Sequence, residues 1–250
     1  LLPENGTITV RDLTYSYSGA ERDYAIKNLS LDIPEGKVTA IVGESGSGKT
    51  TLIKLLQGFY KPNSGTIKVG GISLDCINPH LWRKSTGSVM QESYIFSDTI
   101  AKNIALSTDE VDVKRLYDSA LLANGDEFIS ALPLGYNTRI GMEGSGVSQG
   151  QRQRLLIARA IYKNPKYLFF DEATNSLDAT NERIIMENLQ KIFQNRTVVI
   201  SAHRLSTVMN ADNIVVMKKG EIVEQGTHSE LVALRGHYYT LVKNQLELGK

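Results

Sequence analysis

Residues 43–50 read Gly-Glu-Ser-Gly-Ser-Gly-Lys-Thr, an intact G-x-x-x-x-G-K-[ST] phosphate-binding loop. The flanks agree with the letters. A short apolar run, Val38 to Val42, leads in as a buried strand, and Lys49 to Leu56 leads out as a helix with Leu52, Ile53, Leu55 and Leu56 apolar. Strand, glycine loop and helix in that order are what the motif needs. Gly43, Gly46 and Gly48 reach backbone angles that other residues avoid and let the chain approach closely. Successive N–H groups then converge on phosphate oxygens at the positive end of a helix. In this reading Gly43, Glu44, Ser45, Gly46, Ser47, Gly48, Lys49, Thr50 and Thr51 contact a nucleotide. Lys49 reaches the β- and γ-phosphates, and the Thr50 hydroxyl ligates Mg²⁺.

Composition narrows the classes. With 250 residues, 41% apolar and 22% charged, the chain can bury a substantial core as one large domain or two small ones. A formal net charge of +1 gives no whole-chain argument for nucleic acid or an anionic membrane surface, so no nucleic-acid partner is expected. Cys76 is the only cysteine, which excludes an intrachain disulfide framework and suits a reduced, cytosolic setting. No run approaches the roughly 20 apolar residues of a membrane span, and no secretory signal is recognisable.

Periodicity sketches an α/β core. Residues 6–17 and 25–33 alternate as strands, and Pro34-Glu-Gly36 turns into the buried strand at 37–42. Asn63-Ser-Gly65 precedes a strand at 66–69. From about residue 92 to 149 the pattern changes to short helices, at 99–106, 111–123 and 126–132, which we assign to an inserted helical subdomain. A helix over 149–162, a continuous apolar strand at 167–170, a helix capped by Thr180 and a strand at 198–201 follow. A hairpin around Lys219-Gly220 and a helical end complete the chain. The expected fold is thus a P-loop NTPase core, a mixed sheet flanked by helices. It carries an N-terminal antiparallel β subdomain and the helical insertion; the core spans about 1–91 and 150–250.

Tyr167-Leu-Phe-Phe-Asp171-Glu172 is an apolar strand ending in two acids, about 120 residues past the loop. An acid at such a strand end holds Mg²⁺ while the loop holds the nucleotide, the Walker B arrangement. Glu172, one residue on, points elsewhere and can accept a proton from an attacking water.

Between these two motifs lies Val147-Ser-Gln-Gly-Gln151-Arg-Gln-Arg154, which resembles the Leu-Ser-Gly-Gly-Gln signature of the nucleotide-binding domains of ATP-binding-cassette (ABC) transporters. Gln149 stands where that signature has glycine. The resemblance covers essentially the whole chain and implies ATP and Mg²⁺ as ligands. It implies that Ser148, Gly150 and Gln151 contact the nucleotide, and that Gln91 is the Q-loop glutamine sensing Mg²⁺ and the attacking water. Asp178, in Ser176-Leu-Asp178, matches the D-loop at the dimer interface. His203 matches the switch histidine that bonds the γ-phosphate, and Tyr17 the aromatic that stacks on adenine, with Tyr15 and Tyr24 as competitors. The implied catalytic set is Glu172, His203, Gln91 and Lys49, and the implied metal ligands are Thr50, Gln91 and Asp171. One departure stands in residues 141–144, Gly-Met-Glu-Gly, where an acid that many exporters carry is displaced by one position to Glu143.

The segments Gly220 to Leu231, Gly236 to Val242 and Ile95 to Ile104 resemble exporters that fuse a membrane domain to a following cassette, and within them bacterial peptide and bacteriocin exporters. With the start at Leu1, this gives the expectation of a membrane domain upstream in the parent chain. A cassette of this kind works as a head-to-tail pair, a second copy completing each ATP site. It would lie at the cytoplasmic face of the inner membrane and power export, with a peptide as candidate cargo. The competing readings are a soluble cassette ATPase acting on nucleic acid or ribosomes, and an importer subunit. The first would want a tandem cassette, a coiled-coil insertion or a basic stripe, none of which is present; the exporter-like tail counts against the second.

Overall fold

The structure is a computed structural model that describes residues 3–18, 23–106, 110–141, 146–173, 177–201 and 208–248. The chain divides into two compact units, residues 1–83 with 195–250, and residues 84–194.

The first unit holds two sheets. In one, strands β1 (Ile8–Tyr15), β2 (Ile26–Ile33), β4 (Ser64–Val69) and β5 (Ile72–Ser73) pair antiparallel in the order β2-β1-β4-β5. Strict alternation breaks in β1, where Asp12 takes a positive φ of 49° and the register shifts against both neighbours. The extra residue of this bulge keeps Ile8, Val10, Leu13 and Tyr15 all facing inward. The Asp12 N–H, removed from the ladder, donates to Ser30 Oγ at 3.0 Å. The second sheet runs β10 (Glu221–Gly226), β9 (Asn213–Lys218), β3 (Val38–Val42), β8 (Thr197–Ser201). β3 is parallel to β8 and β9, and β10 is antiparallel to β9, so the sheet is mixed. β8 is buried at every residue and β3 at all but its first, the continuous apolar run of a strand covered on both faces. Helix α1 (Lys49–Leu56) packs on β8. Helices α8 (His228–Leu234) and α9 (His237–Leu248) end the chain.

The division between units falls within α2 (Pro79–Ser85), a helix the sequence pattern did not reveal, as was β6 (Thr86–Val89). In the second unit β6 pairs parallel with β7 (Tyr167–Asp171), all of whose residues are buried. Around them stand α3 (Ile100–Ala105), α4 (Val113–Leu122), α5 (Asp126–Ser130), α6 (Gln149–Tyr162) and α7 (Ala179–Phe193). α6 is the centre of this unit, packing against α3, α4 and β6, with Leu155, Ile157, Ala158 and Ala160 buried. The three short helices have bounds within two residues of those expected, the third starting at Asp126 as expected and ending two residues early. One expectation is corrected. α7 is capped by Asp178, whose carboxylate accepts from Thr180 N at 3.1 Å and Asn181 N at 3.0 Å, because Thr180 already lies inside the first turn. Among the described residues no helix is long and apolar enough to cross a membrane.

The bulge in β1 makes a prediction. Gly65 lies opposite it at φ +87°, and a Cβ there would meet the Arg11 carbonyl oxygen at 2.6 Å and the backbone of Asp12. Gly71 has a similar φ of +84° but open space around it. Gly71→Ala should therefore cost only the left-handed penalty, about 1–2 kcal/mol, and Gly65→Ala clearly more. The check is the urea midpoint of each variant; equal shifts would mean that the bulge relaxes away from the new methyl.

Candidate active site

In the first unit the candidate residues centre on the loop between β3 and α1. At Gly43 the space of a Cβ is already taken by the Met217 carbonyl oxygen and Ser47 Oγ, so only glycine lets β9 approach the loop. Gly48 caps α1 at φ +106°, where a Cβ would stand 2.6 Å from the Ala25 carbonyl oxygen. No side chain caps α1. Its first-turn N–H groups thus remain directed out of the helix end, the arrangement that receives an anion. Lys49 is buried, and its ammonium donates to the carbonyls of Gly43 at 2.9 Å and Glu44 at 3.0 Å, folded over the loop it serves. The Ser47 hydroxyl is also buried, with no hydrogen-bond partner among the described residues. Glu44, Ser45 and Gly46 are exposed, and Thr50 is half-buried. The β9–β10 turn fixes the loop from behind: Gly220 N donates to the Ser47 carbonyl at 3.0 Å.

Tyr17 and Tyr15 part company here. β1 ends at Tyr15, so alternation does not carry on to Tyr17. Tyr15 is 8% exposed and lies in the core, whereas Tyr17 is 58% exposed. The Tyr17 hydroxyl meets Thr51 Oγ1 at 3.0 Å, and its ring stands edge-on to Tyr15 and Tyr60, with centroids 5.1 and 5.5 Å away. One ring of this aromatic trio is thus held rigidly beside α1 with a face to solvent. Tyr24 is half-buried.

A separate group of candidate residues lies in the other unit. Gln91, Asp171 and Glu172 line a cleft of about 290 Å³ together with Gln149, Arg152 and Gln153. Asp171 is buried at the end of β7, and Glu172 follows it at a φ of 53°, a left-handed conformation that is costly for a side chain with a Cβ. Gln91 is exposed on a turn closed by Ser93 N donating to the Met90 carbonyl at 3.0 Å and Met90 N donating to Ser93 Oγ at 2.9 Å.

α6 begins with a full capping box. Ser148 Oγ accepts from Gln151 N at 3.2 Å, and Gln151 Oε1 accepts from Ser148 N at 2.9 Å. Gln149, at the first helical position, is exposed and lines the cleft, and Gly150 is half-buried. Asp178 is tied up as the α7 cap, and the Asn181 bonds hold its carboxyl below the usual carboxylate range. His203, Ser176 and Glu143 lie outside the described residues.

Arg152, Gln153 and Arg154 carry no assigned role in the sequence reading. All three are half-buried and bonded inward. Arg152 Nη2 donates to the Ser93 carbonyl at 2.7 Å, and Gln153 Nε2 to the Glu172 carbonyl at 3.3 Å. Arg154 Nη1 donates to the Asn124 carbonyl and to Asn181 Oδ1, and burial lowers its pKa. Two turns on, Arg159 donates to the carbonyls of Asn103 at 2.7 Å and Tyr94 at 2.6 Å, and burial brings its pKa down to about 10. Three consecutive polar residues sweep roughly 200° of a helix, an arc that a solvated face also covers, so their inward bonds show only in three dimensions.

Asp178 gives a prediction with a sign. Its carboxyl is depressed in the folded chain, so its stabilisation is present above the ordinary carboxylate pKa and is lost as pH falls through the depressed value. Asp178→Ala should lower Tm at neutral pH, and the gap to the parent should shrink as the buffer is taken into acid. A gap that is constant with pH would show that the cap acts without its charge.

Residues 26–175 match the ABC transporter family. The leukotoxin translocation ATP-binding protein LktB of Mannheimia haemolytica is 48% identical over 248 residues, 99% of this chain and 35% of LktB. LktB of Bibersteinia trehalosi matches equally. A bacterial Atm1-family ABC exporter, solved with ATP bound, superimposes with a TM-score of 0.94 at 35% identity, over 98% of this chain and 43% of that one. The chain therefore spans about a third of the length of the curated relatives it matches. With a phosphate loop, an acid-ended strand and a capped signature helix all in place, the chain belongs to the ABC transporter family as an ATP-binding domain and ATP hydrolase.

Proposed function

We propose that this domain hydrolyses ATP between two of its copies and thereby powers export of a peptide or protein by a membrane domain of its parent chain. The observation that carries the export reading is the 48% identity, over nearly the full chain, to a protein named for leukotoxin translocation. In this reading the domain works at the cytoplasmic face of the inner membrane.

The roles follow from the chemistry of the side chains. Tyr17 supplies a free aromatic face for adenine, a contact worth about 1–3 kcal/mol in comparable base stacking. Lys49, released from the Gly43 and Glu44 carbonyls, takes the β- and γ-phosphates, and the α1 amides and the Ser47 hydroxyl complete the cradle. The oxygen donors of Thr50, Gln91 and Asp171 suit a hard divalent cation, and Mg²⁺ bound with the nucleotide would neutralise developing phosphate charge. Glu172 accepts the proton of the attacking water, and His203 donates a hydrogen bond to the γ-phosphate. Ser148, Gly150 and Gln151 present the signature to the nucleotide of the second copy, and Asp178 lies at the junction between copies. Since phosphoryl transfer is chiefly positioning and electrostatics, the cradle and the acid share the work.

Lys49→Ala should abolish binding of a fluorescent ATP analogue; near-normal affinity would remove the loop from the site. Glu172→Gln should bind ATP normally, lose hydrolysis by on the order of 10²-fold or more, and pair on adding ATP, as read by light scattering. Undiminished turnover would exclude Glu172 as the base, and a persistent monomer would count against the two-copy site. In the whole parent protein, Glu172→Gln should stop ATP-driven peptide uptake into inverted membrane vesicles.

A further inference from the structure

The first turns of α6 do more than present Ser148. Consecutive side chains reach out of that helix to two segments far apart in sequence, both lining the same cleft. Arg152 grips the Ser93 carbonyl, the closing residue of the turn that displays Gln91. Gln153 donates to the Glu172 carbonyl. That contact falls on the residue whose backbone is strained, at φ 53°, which is where a restraint alters side-chain direction most. The Arg152 contact is short and made by a charged donor, a stronger class of hydrogen bond. Both bonds are made to main-chain oxygens.

We propose that Arg152 and Gln153 are positioning residues for hydrolysis. Arg152 sets the Gln91 turn and Gln153 sets the direction of the Glu172 carboxylate, so that one helix start aligns both groups. The proposal rests on Glu172 serving as the base. Displacing a reacting group by about 1 Å can cost as much as 10²-fold in rate, and loss of one of two restraints should cost a part of that.

The test uses the domain as it stands. Gln153→Met keeps the length and removes the donor; Arg152→Met removes the donor from a shorter stem, while Arg152→Lys keeps a charged donor. Each Met variant should lower kcat for ATP about tenfold with KM within twofold, since the adenine and phosphate contacts are untouched. Arg152→Lys should recover most of the rate. A merely structural role would lower Tm and leave kcat and KM alone, and that result overturns the proposal, as does a rise in KM with kcat unchanged. Combining Gln153→Met with Glu172→Gln separates the two readings. If Glu172 is the base and Gln153 works through it, the Gln153 substitution has no further effect in that background; a full additional tenfold loss would overturn the positioning role. Normal turnover by Glu172→Gln alone would instead overturn the base assignment and, with it, this proposal.

Discussion

The close approach of β9 to the phosphate loop is the constraint on which the first unit turns. The Met217 carbonyl occupies the space of a Gly43 Cβ, and the Gly220 N–H bonds the Ser47 carbonyl. The loop therefore keeps its shape through main-chain contacts, independent of ligand. That rigidity has a use. A cradle of N–H groups binds phosphate well only when the groups already converge, because ordering them on binding would consume the energy gained. Lys49 illustrates the same economy: buried against two loop carbonyls, its ammonium is poised at the loop before any phosphate arrives.

The second unit solves its positioning by other means. Here the acids sit at the end of a fully buried strand, and side chains from α6, rather than neighbouring backbone, reach the segments that carry Gln91 and Glu172. α6 can do this because both its ends are anchored. The capping box satisfies its first amides, and Arg159 binds the Asn103 and Tyr94 carbonyls two turns later. An arginine at that depth has no short route to solvent, and its lowered pKa records the burial it accepts in exchange for joining α6 to α3.

What was legible in the sequence is what local chemistry decides alone. The bounds of α6 followed from its apolar face, and the loop from its glycines and flanks. The hairpin at Lys219-Gly220 was visible too, but its task of buttressing Ser47 was not, since that depends on a contact more than 170 residues away in the chain. Strand β6 escaped notice because Thr-Gly-Ser-Val carries no apolar pattern. Its place is set by the tight contact of Gly87 with the Ala160 carbonyl, visible only in three dimensions. The tyrosines misled for a related reason. Period-two alternation placed Tyr15 and Tyr17 on one face, but it holds only while the chain stays in the strand, and β1 stops at Tyr15. Thr180 was assigned to the cap of α7, whereas the Asp178 carboxylate, two residues earlier, captures the free amides first.

The two ways of positioning predict different tolerance to change. Where main chain does the work, a side chain can vary only if it points away, and Glu44 and Ser45, exposed in the loop, are of that kind. Gln149 belongs with them. It stands where the family signature has glycine, yet it is exposed at the first turn of α6, and neither the capping box nor the contacts of Arg152 and Gln153 involve its side chain. A glycine there is not required by the backbone of this unit, because the position is ordinary helix. Where side chains do the work, substitution is felt even far from any nucleotide, since a carbonyl released at Ser93 or Glu172 lets the whole segment drift. The backbone of this unit thus accepts the unusual letter in the signature, while the Arg-Gln pair behind it bonds the segments that carry Gln91 and Glu172.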